Sequence, residues 1–220
     1  MATPPDGNLA ADAAAYLAKS ARTVESISGD TKEIDRQAAC LVEWARKRNV
    51  LLTDAFTAGL EKHLSPSAEH EVFYRASDNR AVKRTHAGTF GVTDEPKGKQ
   101  RHATPLFYLR RLELMNEVFD SDLKLEGVMF AKSLIIGAGG DKPCAVISQP
   151  WIDAADENNP CPSEHEIKKF MEDLGFAPVK GMFYGWYNEK SKITILDARP
   201  DNFVNSYLGV VPIDLVISKS

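Results

Sequence analysis

The chain has 220 residues, of which 43% are hydrophobic and 26% are charged, and its formal net charge is −4. This composition argues against a chain that is disordered throughout. The acidic balance argues against a nucleic-acid-binding protein, because such proteins usually carry a basic face. The three cysteines, Cys40, Cys144 and Cys161, match neither a disulfide framework nor a Cys-x-x-Cys zinc site.

We expect a cytoplasmic protein without a membrane segment. The first 20 residues contain no basic start followed by an apolar stretch, so they do not have the pattern of a secretory signal. No run of about 18 apolar residues occurs, and a transmembrane helix needs roughly that length. The cysteine content also favours a reducing compartment.

Helical spacing predicts an N-terminal helical extension over residues 1–62. Its first helix is the alanine-rich segment 10–27. The second, over 31–48, places apolar residues on one face and has Thr31 in the N-cap position. Residues 50–64 predict a third helix.

From about residue 66 the pattern changes to strands. The alternating segments HEVFYRA and RAVKRT, separated by the turn residues SDN, predict a β-hairpin. Residues 87–103 are rich in glycine and charge and predict a loop. Thr104 as N-cap and Pro105 at the first helical position predict a helix over 104–119.

The second half of the chain predicts two strands with a glycine-rich turn, a helix, a hairpin and a final strand. These elements lie at residues 125–136 and 144–152, 162–176, 180–196 and 209–217. Ser163 and Glu166 form a capping-box pattern at the start of the helix, and the hairpin turns at Asn188–Lys190. The order of helices and antiparallel hairpins predicts an α+β fold.

The segment ILDARPDNFV, residues 195–204, concentrates the polar residues of interest. Asp197 follows a strand-like run, Asn202 comes five residues later, and Asp214 interrupts another apolar run twelve residues further on. Carboxylate and amide oxygens at the ends of strands are the ligands that a metal–phosphate site needs. Upstream, Lys83 lies on a predicted strand in the segment AVKR.

This order of residues resembles the protein-kinase-like superfamily, and within it the small kinase-like domains of bacterial and bacteriophage polyvalent proteins. DARPDN matches the Asp-x-x-x-x-Asn catalytic loop, and AVKR resembles the lysine-bearing strand. The resemblance covers about residues 65–218. It implies a kinase N-lobe sheet followed by a truncated catalytic-loop region, and a minimal catalytic domain over 63–220.

The resemblance implies an ATP-dependent phosphotransferase. Lys83 would hold the α- and β-phosphates, and a helix carboxylate, Glu113 or Glu117 a turn later, would hold Lys83 in place. Asp197 would orient the acceptor hydroxyl, and Arg199 would neutralise the transferring phosphoryl group. The simpler interpretations are a helix-surface charge for Glu113 and an arginine paired with its acidic neighbour for Arg199.

The resemblance also implies binding sites for Mg²⁺ and for the nucleotide. Asn202 and Asp214 would hold Mg²⁺, although Asp214 also fits a residue that caps a turn at a strand end. The segment Ser148-Gln149-Pro150-Trp151 takes the place of the hinge that contacts adenine, so Gln149 and Trp151 are candidate contacts. Ser65 and Ser67 would cover the phosphates, because no Gly-x-Gly-x-x-Gly precedes the first hairpin.

Several departures from the family pattern leave three functions open. Ile195-Leu196 replaces His-Arg, Asp214-Leu-Val replaces Asp-Phe-Gly, and no helical half-domain is expected after Asp214. The N-terminal helices or a partner would replace that lobe. We expect a kinase that acts on a protein serine, threonine or tyrosine hydroxyl, or on itself. The alternatives are a pseudokinase that regulates a partner and a structural protein of a mobile element.

Overall fold

The structure of the chain is a computed structural model, and it describes residues 8–20, 31–63, 69–94, 100–132 and 140–219. The contacts divide the chain into two units. The first unit comprises the chain up to Thr93, Gln100–Glu113 and Asp122–Trp151. The second unit contains Leu114–Ser121 and Ile152–Ser220 as its main segments. Helices and antiparallel sheets occur in both, so the α+β prediction is confirmed.

The first unit begins with two helices. Helix α1 spans Leu9–Lys19 and α2 spans Thr31–Arg48, with the ends predicted for α2. The predicted first helix continued to residue 27, but residues 21–30 lie outside the described part. Both helices contact strand β6, which spans Lys124–Lys132. The predicted boundary between an extension and a catalytic domain after residue 62 stays a prediction.

A five-stranded antiparallel sheet forms the centre of the first unit. Its strands lie in the order β1-β2-β3-β7-β6. The strands other than β6 are β1 Glu61–His63, β2 His70–Arg75, β3 Arg80–Thr85 and β7 Asp141–Pro150. The hairpin β2–β3 and the pair β6–β7 were predicted, and both are confirmed. Short strands β4 Val92–Asp94 and β5 Gln100–His102 occur where only a loop was predicted.

The third predicted helix, over 50–64, is wrong. This segment contains a bridge from Leu51 to Val128, a single 3-10 turn at Asp54–Phe56, and β1. Gly127 permits the bridge, because a Cβ atom at that position would overlap the carbonyl oxygen of Val50. Tertiary pairing with β6 therefore overrides the local helical pattern, and the segment covers one face of the sheet.

Helix α3, Pro105–Phe119, begins as predicted. The Thr104 hydroxyl accepts a hydrogen bond from the Phe107 backbone N–H at 3.2 Å, so Thr104 is the N-cap. Leu109, Leu112 and Met115 are at most 3% exposed and form the buried apolar stripe of the helix.

The second unit contains helix α4, Glu164–Asp173, a four-stranded sheet and a hairpin. Its strands are β8 Ala177–Pro178, β9 Trp186–Asn188, β10 Ile193–Leu196, β11 Phe203–Ser206, β12 Gly209–Pro212 and β13 Val216–Lys219. The sheet order is β13-β10-β9-β8, and β11 pairs with β12. The capping box of Ser163 and Glu166 is present at the start of α4.

The prediction of one final strand over 209–217 is wrong, because the structure has two strands there, β12 and β13. The chain leaves β12 at Pro212, and the Ile213 N–H donates to the Asn202 carbonyl oxygen at 2.9 Å. Pro212 has no N–H to extend a ladder. Strand β13 then pairs with β10, so that Leu196 is opposite Val216. The break places Asp214 in a loop rather than inside a strand.

In the described residues, no helix combines the length and the apolar character that crossing a membrane requires.

Candidate functional site

Lys83 lies in the middle of the five-stranded sheet and is only 6% exposed. Residues directly opposite each other on neighbouring strands point to the same face of a sheet. Lys83 is opposite Val72 on β2 and Ile147 on β7, and Gln149 is opposite Ala81, two residues before Lys83. Lys83 and Gln149 therefore share one face of the sheet. Most lysines on strands are solvated, and the burial of Lys83 sets it apart from them.

Helix α3 covers the face that carries Lys83. His70 is opposite Thr85, and since Thr85 is two residues from Lys83, His70 points to the same face. A hydrogen bond of 2.9 Å joins His70 Nε2 to the Tyr108 hydroxyl on α3. The sheet and the helix thus enclose the lysine from two sides.

A buried ion pair fixes α3 to the start of β2. Arg111 Nη1 lies 2.8 Å from Glu69 Oε2, and the two side chains are 5% and 7% exposed. The Val92 backbone N–H donates to the other Glu69 oxygen at 2.8 Å. Gly91 has φ +83°, and a Cβ atom there would lie 3.3 Å from both charged side chains. The loop before β4 therefore closes over the pair, and it depends on glycine to do so.

The sequence raised Glu69 only as a possible phosphate or metal contact, and its buried pairing with Arg111 was not predicted. One signal was available for Arg111, because it lies three residues after Tyr108 on the buried side of α3. A charged residue in a buried stripe indicates a buried partner. The partner, Glu69, is 42 residues away in sequence, so no local pattern identifies it.

The predicted pairing of Glu113 with Lys83 stays a prediction. In the structure, Glu113 Oε2 lies 2.8 Å from Arg110 Nη1 on the outer side of α3. Two residues along a helix correspond to roughly 200° of rotation, which turns Glu113 away from the direction of Arg111. The alternative, Glu117, lies 3.7 Å from Lys219 in the second unit. The acidic side chain that is buried against α3 in the first unit is Glu69.

Arg80 holds the segment predicted as the hinge. Its guanidinium donates to the Ser148 hydroxyl at 2.9 Å and to the Ser148 carbonyl oxygen at 3.1 Å. The same side chain pairs with Asp122 at 2.6 Å and is only 8% exposed. Arg80 thus joins the start of β3 to the end of β7 and to the turn before β6. These contacts lie beside Gln149, which is 7% exposed.

Trp151 directly follows β7, and its backbone N–H donates to the Asn79 carbonyl oxygen at 2.9 Å. Its ring makes edge contacts with Tyr74 and His63, at centroid distances of 5.1 and 5.8 Å. These contacts make Trp151 a packing residue at the end of the sheet. Its predicted contact with a nucleotide base stays a prediction. The other two nucleotide-binding candidates, Ser65 and Ser67, lie outside the described residues.

In the second unit, Asp197 and Asn202 form one compact loop after β10. The backbone of Asp197 is left-handed, with φ 59°, a conformation that aspartate tolerates better than most residues. Asn202 Nδ2 donates to the Asp197 carbonyl oxygen at 2.7 Å and to its carboxylate Oδ2 at 3.0 Å. The amide is only 8% exposed, so the five-residue spacing reflects a real contact.

Arg199 binds the same carboxylate. Its Nε lies 2.7 Å from Asp197 Oδ1, and its Nη2 lies 3.7 Å from Asp201 Oδ2. Each oxygen of the Asp197 carboxylate thus has a donor from within the loop. The arginine contacts both its acidic neighbour and the predicted catalytic residue.

Asp214 directly follows a residue that is hydrogen-bonded to this loop. Ile213, the residue before it, donates to the Asn202 carbonyl oxygen. Because Asn202 Nδ2 faces Asp197, its Oδ1 is the atom left for a cation. Amide and carboxylate oxygens are the hard ligands that Mg²⁺ prefers, so Asn202 and Asp214 fit that ion in chemical type.

A model of the protein family described as "Serine/Threonine/Tyrosine Kinase found in polyvalent proteins" matches residues 34–219 of the chain. The matched region begins within α2 and includes all the residues predicted for the site. No curated protein and no solved structure matches the chain.

Proposed function

Because the chain belongs to the family of serine/threonine/tyrosine kinases found in polyvalent proteins, we propose that it transfers the γ-phosphoryl group of ATP to a protein hydroxyl. The observation that carries the proposal is the loop in which Asn202 and Arg199 bind the two oxygens of Asp197. Phosphoryl transfer depends mainly on positioning and charge neutralisation. A carboxylate held from both sides meets the first need.

In the proposed reaction the oxygen of the acceptor hydroxyl forms a bond to the γ-phosphorus. The bond from the γ-phosphorus to the oxygen that bridges it to the β-phosphate breaks, and ADP leaves with that oxygen. The hydroxyl proton passes to the Asp197 carboxylate and from there to water. Arg199, which is half exposed, supplies positive charge beside the transferring group.

The first unit supplies the nucleotide contacts in this proposal. Its five-stranded sheet with α3 corresponds to the kinase N-lobe, and the loop 197–214 corresponds to the catalytic loop and the metal-binding aspartate. The buried Lys83 holds the α- and β-phosphates, and Gln149 lies on the same face of the sheet, toward the base. Asn202 and Asp214 would hold Mg²⁺, and the ion would neutralise phosphate charge.

Two measurements test the proposal, namely phosphate transfer from radiolabelled ATP and a thermal-shift titration with ATP in the presence and absence of Mg²⁺. Ligand at a hundredfold excess over Kd stabilises the native state by about 2.7 kcal/mol. We expect Asp197→Asn to keep this stabilisation and lose transfer. Asp214→Asn is expected to lose the Mg²⁺-dependent part of the stabilisation.

Asp201→Asn is the matched control, because Asp201 belongs to the same loop and its side chain is 64% exposed. It is expected to behave as the wild type in both assays. No stabilisation at millimolar ATP contradicts nucleotide binding. Transfer that survives Asp197→Asn contradicts the role given to Asp197.

A second candidate function is a pseudokinase that binds nucleotide and regulates a partner. It is favoured by the departures from the kinase pattern, because Ile195-Leu196 replaces His-Arg and Asp214-Leu-Val replaces Asp-Phe-Gly. Nucleotide stabilisation without any turnover supports this function over the first.

A further inference from the structure

A groove of about 570 Å³ opens in the second unit between α4 and residues 178–186. That volume lies within the range of pockets that hold ligands. Apolar side chains form most of its floor, among them Ile167, Met182 and Trp186. Ala198 also lines the groove, and its preceding neighbour in the chain is Asp197. A molecule that contacts Ala198 therefore lies one residue along the chain from Asp197, whose carboxylate is proposed to receive the acceptor proton.

The groove is held open by its own hydrogen bonds. Tyr184 has φ 57°, a left-handed conformation that costs a non-glycine residue about 1–2 kcal/mol. Its carbonyl oxygen accepts from the Ala198 N–H at 3.1 Å, and its hydroxyl donates to Glu164 at 3.1 Å. These two hydrogen bonds hold the loop in its strained shape.

The groove presents two features that suit a particular kind of ligand. Phe183 on its rim is 95% exposed, so its ring is available to an apolar side chain. Glu164 forms no ion pair with the residues that the structure describes, and its carboxylate raises the pKa of the Tyr184 hydroxyl that it binds. Lys168 also lines the groove, but it pairs with Glu172 at 3.8 Å. An aromatic ring beside a carboxylate is complementary to a segment that carries one apolar and one basic side chain.

We propose that this groove binds the polypeptide that carries the acceptor hydroxyl. An apolar side chain of that polypeptide packs on Phe183 and the floor, and a lysine or arginine pairs with Glu164. The acceptor residue then follows along the wall formed by Ala198 to Asp197. The inference rests on the proposed phosphotransfer and names the acceptor class. A small polyhydroxylated acceptor fits less well, because Ile167, Met182 and Phe183 offer its hydroxyls no polar partner.

The test uses peptides with a central serine, threonine or tyrosine, in which one flanking position at a time is fixed as leucine, arginine or aspartate. The wild type is expected to prefer leucine and arginine and to reject aspartate. For the best peptide, Phe183→Ala is expected to raise KM about fivefold or more, the effect of removing an interface anchor. Its kcat and its KM for ATP are expected to stay unchanged.

Glu164→Gln is expected to remove the preference for arginine and to keep the preference for leucine. Leu208→Ala is the matched control, because Leu208 is 96% exposed at the tip of the hairpin β11–β12. It is expected to leave all three parameters as in the wild type. Equal peptide KM values for Phe183→Ala and the wild type overturn the proposal, as does faster transfer to glycerol or a sugar than to any peptide.

Peptide binding measured without ATP separates this proposal from the proposed function. Binding of the fluorescently labelled peptide library is expected to follow the same order of variants. If transfer is absent but Phe183→Ala still weakens binding, the groove is a polypeptide site and the phosphotransfer assignment fails. If transfer occurs and no groove variant changes binding, the phosphotransfer stands and the groove assignment is overturned.

Discussion

Replacement of Arg111 by methionine tests whether burial determines the energetic importance of the charges on α3. The Arg111 and Glu69 side chains are 5% and 7% exposed at a separation of 2.8 Å. Removing one partner of a buried pair leaves a carboxylate that water does not reach, and such changes typically cost about 3–5 kcal/mol. For a domain of this size that loss lowers Tm by roughly 6–20 °C.

The adjacent residue provides the matched control. Arg110 is on the same helix and also forms an ion pair, with Glu113 at 2.8 Å, but its side chain is 46% exposed. Pairs of that kind contribute about 0–1 kcal/mol, so Arg110→Met is expected to have little effect. The helix propensity of the two positions changes in the same way, because the substitution is identical.

Urea unfolding followed by circular dichroism measures both variants, with the slope m checked for constancy. We expect Arg111→Met to lose at least about 2 kcal/mol more than Arg110→Met. The double variant Glu69→Gln/Arg111→Met is expected to recover part of the loss, because it also removes the buried negative charge of Glu69. Equal losses for the two arginines refute the reasoning, since burial would then have no effect on the value of the pair.

Two further predictions concern acid stability and the catalytic loop. Burial opposes ionisation of Asp12, but hydrogen bonds from Arg48 and Trp44 outweigh it and lower its pKa. The stabilisation is therefore complete above the ordinary aspartate pKa of about 4 and is lost as the pH falls below it. Urea midpoints from pH 7 to 3 are expected to fall less steeply for Asp12→Asn, and identical slopes contradict this. Asn202→Ala is expected to lower transfer about a hundredfold through misplacement of Asp197. It also removes the Mg²⁺-dependent thermal shift, and transfer at the wild-type rate contradicts the role of the amide.

Local signals predicted the elements whose stability is local. Helix α2 ends at Arg48 as the periodicity indicates, and the capping box at Ser163 marks the start of α4. The contact of Asp197 with Asn202 spans five residues, so its spacing was readable in the sequence. The resemblance to kinase-like domains of polyvalent proteins, which rested on this spacing and on Lys83, is confirmed at the level of the family.

The features that the sequence did not predict depend on partners far away in the chain. Residues 50–64 read as a helix because nothing local reveals the bridge to Val128. The break after Pro212 depends on a hydrogen bond from Ile213 to Asn202. Hydrophobic periodicity describes one segment at a time. It therefore fails for a segment whose structure is determined by pairing with a distant segment.

The pairing of β10 with β13 has a consequence for the cost of assembling the loop between them. Leu196 and Val216 are opposite each other on the two strands, so the segment 197–215 leaves and re-enters the sheet at one stem. Pairing of the two strands brings the ends of the loop together during folding. The entropy of loop closure is therefore lost at that stage and not when a ligand binds. The loop and its stem should then open as one unit, and slow amide exchange in β10 and β13 should be lost together when either strand is weakened.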